Sequence, residues 1–120
     1  MLPDSGGSPQ HLRVRTADHD GVSVVTPVGE IDSDSCGALR AALQDCVNRT
    51  GRIALDLSGV SFMDSTGINV LLTAARSLRD RPGTWLRIAA PSQPVLRVLQ
   101  LVGVETVLTI RASLADALSD

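Results

Sequence analysis

The sequence predicts a single α/β domain built on a mixed, mostly parallel sheet of about four to five strands with about four helices. Three observations carry that prediction. Two strand-like runs come first, then helical and strand-like runs alternate; each run is closed by Gly, Pro or Asp clusters; and 120 residues suit one compact core.

Met1 to His11 hold Pro3, Gly6, Gly7 and Pro9 with little to bury, so residues 1–11 are expected as a flexible tail and 12–120 as the domain. Leu12, Val14 and Thr16 alternate as a strand, and Ala17 to Gly21 end it with an Asp-Gly hairpin signal. Val22, Val24, Val25 and Val28 form a second strand, expected to be central and buried on both faces. Pro27 cannot donate to a ladder, so it is expected to mark where pairing stops on one side. Cys36, Leu39, Leu43, Cys46 and Val47 then recur at helical spacing, with cap residues in Asp32 to Ser35 and a stop at Thr50-Gly51.

Arg52 to Leu57 reads as a strand, with Ile53, Leu55 and Leu57 on one side and Asp56 as its odd polar member. Ser58 to Gly67 reads as a loop whose end opens a second helix through Ile68, Leu71, Leu72, Ala75 and Leu78, closed by Pro82-Gly83. Trp85 to Ala89 is the next strand. Pro94 starts a third helix through Val95, Leu96, Val98, Leu99 and Val102, and Gly103 closes it. In that helix Val95, Leu99 and Val102 are read as core packing, with a contact surface as the other possibility. Val104 to Ile110 is a short strand, and Ser113 with Asp116 is a capping pair for a last helix ending at Leu118. Parallel strands release their following loops at one sheet edge, which brings the Glu30–Ser35 and Ser58–Ser65 loops together.

Composition removes several functions. All 11 basic residues are arginine against 13 acidic ones, a formal charge of -2, so neither nucleic acid nor a membrane surface is an expected partner. The lack of lysine removes phosphate-loop, Schiff-base and lysine-base chemistry. Phe62 and Trp85 are the only aromatics, too few for a base-stacking platform. His11, His19, Cys36 and Cys46 have no metal-ligand spacing, and no metal or other cofactor is expected. Ten residues of helix hold Cys36 and Cys46 about 15 Å apart. A bridge needs about 4.4–6.8 Å, so both are expected as reduced, buried thiols in the cytosol. No apolar run of about 18 residues and no leader-like N-terminus is present, and a cytoplasmic location is expected.

Asp34-Ser35-Cys36-Gly37 and Asp64-Ser65-Thr66-Gly67 share one pattern, and both stand at helix starts. Capping accounts for Asp34-Ser35. An aspartic-protease pair requires carboxylates a few ångströms apart on β-loops, which helix starts do not supply. Ser65 lacks the glycine two residues before it that a nucleophile elbow needs, since Met63 stands there, and no histidine follows it. Gly59 and Gly67 fit no nucleotide-loop pattern. A hydroxyl at a helix N-terminus is, however, well placed to carry a phosphate, which suits Ser65 as an acceptor.

Residues 22–110 resemble the STAS domain, and within it the bacterial anti-sigma factor antagonists, or anti-anti-sigma factors. The matching stretches are Val28-Gly29-Glu30-Ile31-Asp32, the run from Leu55 through Asp64-Ser65-Thr66-Gly67, and Val98-Leu99-Gln100-Leu101-Val102-Gly103-Val104. The resemblance implies no catalytic activity, no cofactor and a phosphorylation switch. It implies that Ser65 is phosphorylated by a partner that is both serine kinase and anti-sigma factor, and that a serine phosphatase reverses this. The unmodified form would bind that partner and free a sigma factor. Asp64, Thr66 and Gly67 fill the flanking motif positions, and Glu30 and Asp32 match the family's acidic loop, so these five are implied in partner binding. Asn69 stands where many relatives have a second glycine, and Pro27 interrupts a strand usually free of proline.

A phosphate on Ser65 adds about -1.5 to -2 charge beside Asp64, so a local electrostatic block of binding by about a hundredfold is expected. Three other readings remain: Thr66 as the acceptor, an unswitched binding or scaffold module in which Ser65 only caps its helix, and a small-molecule or nucleotide sensor on the same loop edge.

Overall fold

A computed structural model describes residues 12–103 and 108–119. The tail expected over 1–11 and positions 104–107 of the expected last strand lie outside the described residues. In order the elements are β1 (Leu12–His19), β2 (Val22–Ile31), α1 (Cys36–Arg49), β3 (Arg52–Asp56) and β4 (Val60–Met63). There follow α2 (Ser65–Leu78), β5 (Trp85–Ala89), α3 (Gln93–Leu101), β6 (Thr109–Arg111) and α4 (Leu114–Leu118).

The sheet runs β1-β2-β3-β5-β6, with β4 paired to β2, and every pairing is parallel except β1 with β2. The hairpin is the expected one: His19 faces Val22, and Asp20 (φ 50) and Gly21 (φ 83) both take the left-handed conformation that a two-residue turn between twisted strands requires. Strand β4 was expected as loop. It follows β3 after a three-residue turn and takes over the side of β2 that β3 leaves.

That handover explains Pro27. Strand β2 pairs with β3 over Ser23–Val25 and with β4 from Gly29 onward. The Gly29 N–H donates to the Gly59 carbonyl at 3.0 Å. Nitrogens two residues apart on a strand point the same way, so the ring nitrogen of Pro27 faces the gap between the two partner strands, where no donor is needed.

Alternation along the strands splits the core. Val25, Ile53, Leu55 and Ile88 face α1, α2 and α3, whereas Val22, Ala54 and Ala89 face the five-residue helix α4 through Ala117. All five apolar residues expected on α1 are buried. Helix α4 is capped as expected, the Ser113 side chain accepting the Asp116 N–H at 3.1 Å. Because α4 is short, it covers only part of its face. Strand β2 is central, but its far end is not buried on both sides: Val28 is 49% exposed and Glu30 is exposed. Cys36 and Cys46 are buried free thiols. No helix among the described residues is long and apolar enough to cross a membrane.

Candidate functional site

Strands β2 and β4 run parallel and end side by side, Glu30 opposite Phe62 and Ile31 opposite Met63. The chain leaving β2 enters α1 and the chain leaving β4 enters α2, so the two acidic loops meet at one edge, as the sequence predicts. A direct bond fixes the junction, the Asp64 N–H donating to the Ile31 carbonyl at 3.2 Å.

Asp64 is the N-cap of α2, with extended backbone (φ -105, ψ -171). Its carboxylate accepts the N–H of Thr66 at 2.9 Å and, more weakly, that of Gly67 at 3.4 Å. The first helical hydrogen bond then runs from the Ile68 N–H to the Asp64 carbonyl. Of the donors a helix leaves open at its start, only the Ser65 N–H has no acceptor among the described residues. Ser65 is the first helical residue and is exposed, and its hydroxyl likewise has no partner among the described residues. Thr66 is half-buried.

Gly67 is there for space. A Cβ at this position would stand 2.6 Å from Met63 Cγ and 2.8 Å from Ile31 Cγ2, so a glycine lets the first turn of α2 sit directly on the ends of β4 and β2.

The neighbouring loop is built differently from the expected cap. Ser35 occupies the N-cap position of α1 but makes no side-chain cap bond, and Asp34 makes none either. Instead the Ser35 hydroxyl donates to the Glu30 carbonyl at 2.7 Å and accepts the Asp32 N–H at 2.9 Å. Asp32 Oδ1 accepts the N–H groups of Asp34 and Ser35 at 2.9 and 3.0 Å. Asp32 thus shapes the loop, leaving Glu30 as the exposed carboxylate of the pair implied by resemblance, with no partner among the described residues.

A bulge at Gly29/Glu30 also escaped the sequence reading. Val60 faces Gly29 but Phe62 faces Glu30, so Ser61 is the extra residue and Gly29 adopts φ 130 to accommodate it. Val60 and Met63 point into the core and Ser61 and Phe62 point out, which breaks the alternation that would have announced a strand. On the outer side of β4, the Ser92 hydroxyl at the start of α3 donates to the Val60 carbonyl at 2.8 Å.

His19 lies at the far end of β2 from Ser65. Ten residues of strand separate those ends by about 30 Å, which removes His19 as a base for Ser65. The groove between α1 and α2, lined by Leu43, Val47, Val70 and Ala74, is separate from the loop edge.

A family model for the STAS domain matches residues 13–117, and the chain belongs to that family. Among its relatives, the anti-sigma-F factor antagonist RsfB of Mycobacterium tuberculosis is 31% identical over 113 residues, 93% of this chain and 91% of the relative. The anti-sigma-B factor antagonist of Listeria monocytogenes is 31% identical over 101 residues, covering 83% of this chain and 85% of the relative. The crystal structure of an anti-sigma factor antagonist from Mycobacterium paratuberculosis superposes with a TM-score of 0.84 at 31% identity, spanning 92% of this chain and 94% of the other.

Proposed function

We propose that this chain is an anti-sigma factor antagonist that binds an anti-sigma factor of the serine-kinase type through the Ser65 edge, is released when Ser65 is phosphorylated, and is restored by a serine phosphatase. It acts by binding and carries no catalytic activity of its own. The observation that carries the reading is the exposed Ser65 hydroxyl at the first position of α2, without a partner among the described residues. In the switching step the Ser65 Oγ attacks the γ-phosphorus of the kinase's ATP. An O–P bond forms, the bond to the β,γ-bridging oxygen breaks, ADP leaves and the hydroxyl proton passes to a base on the kinase.

The cap geometry sharpens the electrostatics. A free helix N-terminus offers donors to a phosphate, but here Asp64 already holds the Thr66 and Gly67 N–H groups. The phosphate is left the open Ser65 N–H and the helix dipole, and it sits beside the Asp64 carboxylate, with Glu30 and Asp32 at the adjoining strand end and loop. Added charge at a desolvated contact then acts on the partner with little to absorb it, and a loss of about a hundredfold corresponds to about 2.7 kcal/mol. Glu30, Asp32, Asp64, Thr66 and Gly67 form the contact in this reading, Asp32 and Gly67 by holding its shape.

The test is to incubate the chain with a panel of anti-sigma kinases and ATP and to map phosphate by mass spectrometry beside Ser65→Ala. Phosphate on Ser65, absent from the variant, supports the reading. Phosphate on Thr66 moves the acceptor, and tight binding without modification points to an unswitched binder.

A further inference from the structure

We infer that the groove between α1 and α2 binds a small amphiphilic carboxylate, an anion whose apolar body is about the size of a benzene ring. The groove is separate from the Ser65 edge, and its occupancy is independent of what docks there.

The floor sets the size of the body. Leu43 and Val47 of α1 and Val70 and Ala74 of α2 form it, each 6% exposed or less. Both helices follow parallel strands and run side by side, and the short side chains of Val47, Val70 and Ala74 leave the space between them unfilled. That space is about 180 Å³. A dry cavity of about 150 Å³ with an aliphatic lining takes up benzene, so this one suits a single ring or a short chain rather than a helix or a strand.

The walls set the charge. Arg40, Gln44 and Asn48 stand one turn apart along α1, and Thr73 and Ser77 do the same along α2, with Arg81 in the turn beyond that helix. The groove is thus lined by two cations and no carboxylate, in a chain whose formal charge is -2. The Arg81 guanidinium has no partner among the described residues, and that of Arg40 has only the Cys36 sulfur, at 3.4 Å. Arg49 on the same helix makes the contrast, since it holds Asp45 at 2.9 Å and Asp18 at 3.4 Å. Nor does the helix dipole account for Arg40, which lies in the second turn of α1, away from the C-terminal end where a cation is stabilised.

Charge and shape together select the occupant. A guanidinium fork matches a carboxylate, and the floor takes an apolar body out of water. The Gln44 and Asn48 amides, without partners among the described residues, add neutral donors at the rim.

The experiment titrates the full chain with hydrocinnamate, and with hydrocinnamyl alcohol and acetate as the probes that lack its charge and its apolar body, following backbone amides by NMR. Saturable shifts at Leu43, Val47, Val70 and Ala74 are expected with hydrocinnamate, with a Kd of about 0.1–1 mM, and either control should bind at least tenfold more weakly. The double variant Arg40→Gln with Arg81→Gln should keep its thermal midpoint and lose at least tenfold in affinity. Ala74→Leu, which fills the floor, should abolish the shifts; if that variant fails to fold, the double variant decides alone. Equal binding of the alcohol and the acid, wild-type affinity in the double variant, or shifts that grow without saturating would each overturn the assignment. Self-association in sedimentation that Ala74→Leu abolishes, with no response to hydrocinnamate, would make the occupant a second copy and overturn it as well. None of these measurements involves a kinase, so the reading of Ser65 stands or falls separately.

Discussion

The Asp64 N–H bonds to the Ile31 carbonyl at 3.2 Å, which ties the entry of α2 to the end of β2 and places Ser65 beside the acidic loop. The position of the hydroxyl is therefore set by backbone joined across two strands, and the side chains around it can be changed to test their separate roles.

Gly67→Ala should destabilise the domain by about 1–3 kcal/mol, because its methyl collides with Met63 and Ile31. Urea unfolding measures this. Met63→Ala removes the nearest atoms, so the two changes together should cost less than their sum by at least about 0.5 kcal/mol. Strict additivity would show that the close approach carries no strain.

Asp64→Ala removes the cap and should cost about 1 kcal/mol, while Asp64→Asn, which keeps an oxygen acceptor, should cost less. The two variants also separate capping from charge. After phosphorylation of Ser65, Asp64→Asn should bind the partner better than wild type does, since one of the repelling charges is gone; equal affinities would show that Asp64 has no electrostatic part in the block.

Ser35→Ala breaks both the bond to the Glu30 carbonyl and the bond from the Asp32 N–H. A loss of about 1–2 kcal/mol is expected in thermal or denaturant unfolding. Amide exchange should quicken at Asp32 and not at Thr66, because the Asp64 carboxylate holds the Thr66 N–H independently of the Ser35 loop. Faster exchange at both would mean the two loops open as one unit.

Salt distinguishes an electrostatic block from a change of shape. Between 0.05 and 0.5 M sodium chloride, roughly, the ratio of affinities of unmodified and phosphorylated chain should shrink severalfold. A ratio independent of salt would point to steric exclusion or rearrangement.

Much of this was legible in the residues. The periodicity over Cys36 to Val47 and the Asp20-Gly21 turn report their structures through strong local preferences, and the Asp64-Ser65-Thr66-Gly67 run marks a helix start because its cap chemistry is local too. Strand β4 was hidden because its bulge turns out Ser61 and Phe62 together, erasing the two-residue period. The Asp34-Ser35 cap failed for a related reason. Ser35 and Asp32 have identical capping preferences to any other serine and aspartate, and only the path of the chain leaving β2 decides that Ser35 binds Glu30 and Asp32 binds Asp34. Pro27 could be assigned to a pairing boundary from its missing donor, but the strand that takes over beyond it could not.

The central claim is that phosphate on Ser65 switches binding, and it is tested most directly by titrating the anti-sigma partner with unmodified chain and with chain stoichiometrically phosphorylated at Ser65. The account predicts that phosphorylation weakens binding by about a hundredfold or more while the thermal midpoint of the free chain changes little. Equal affinities for the two forms would contradict it.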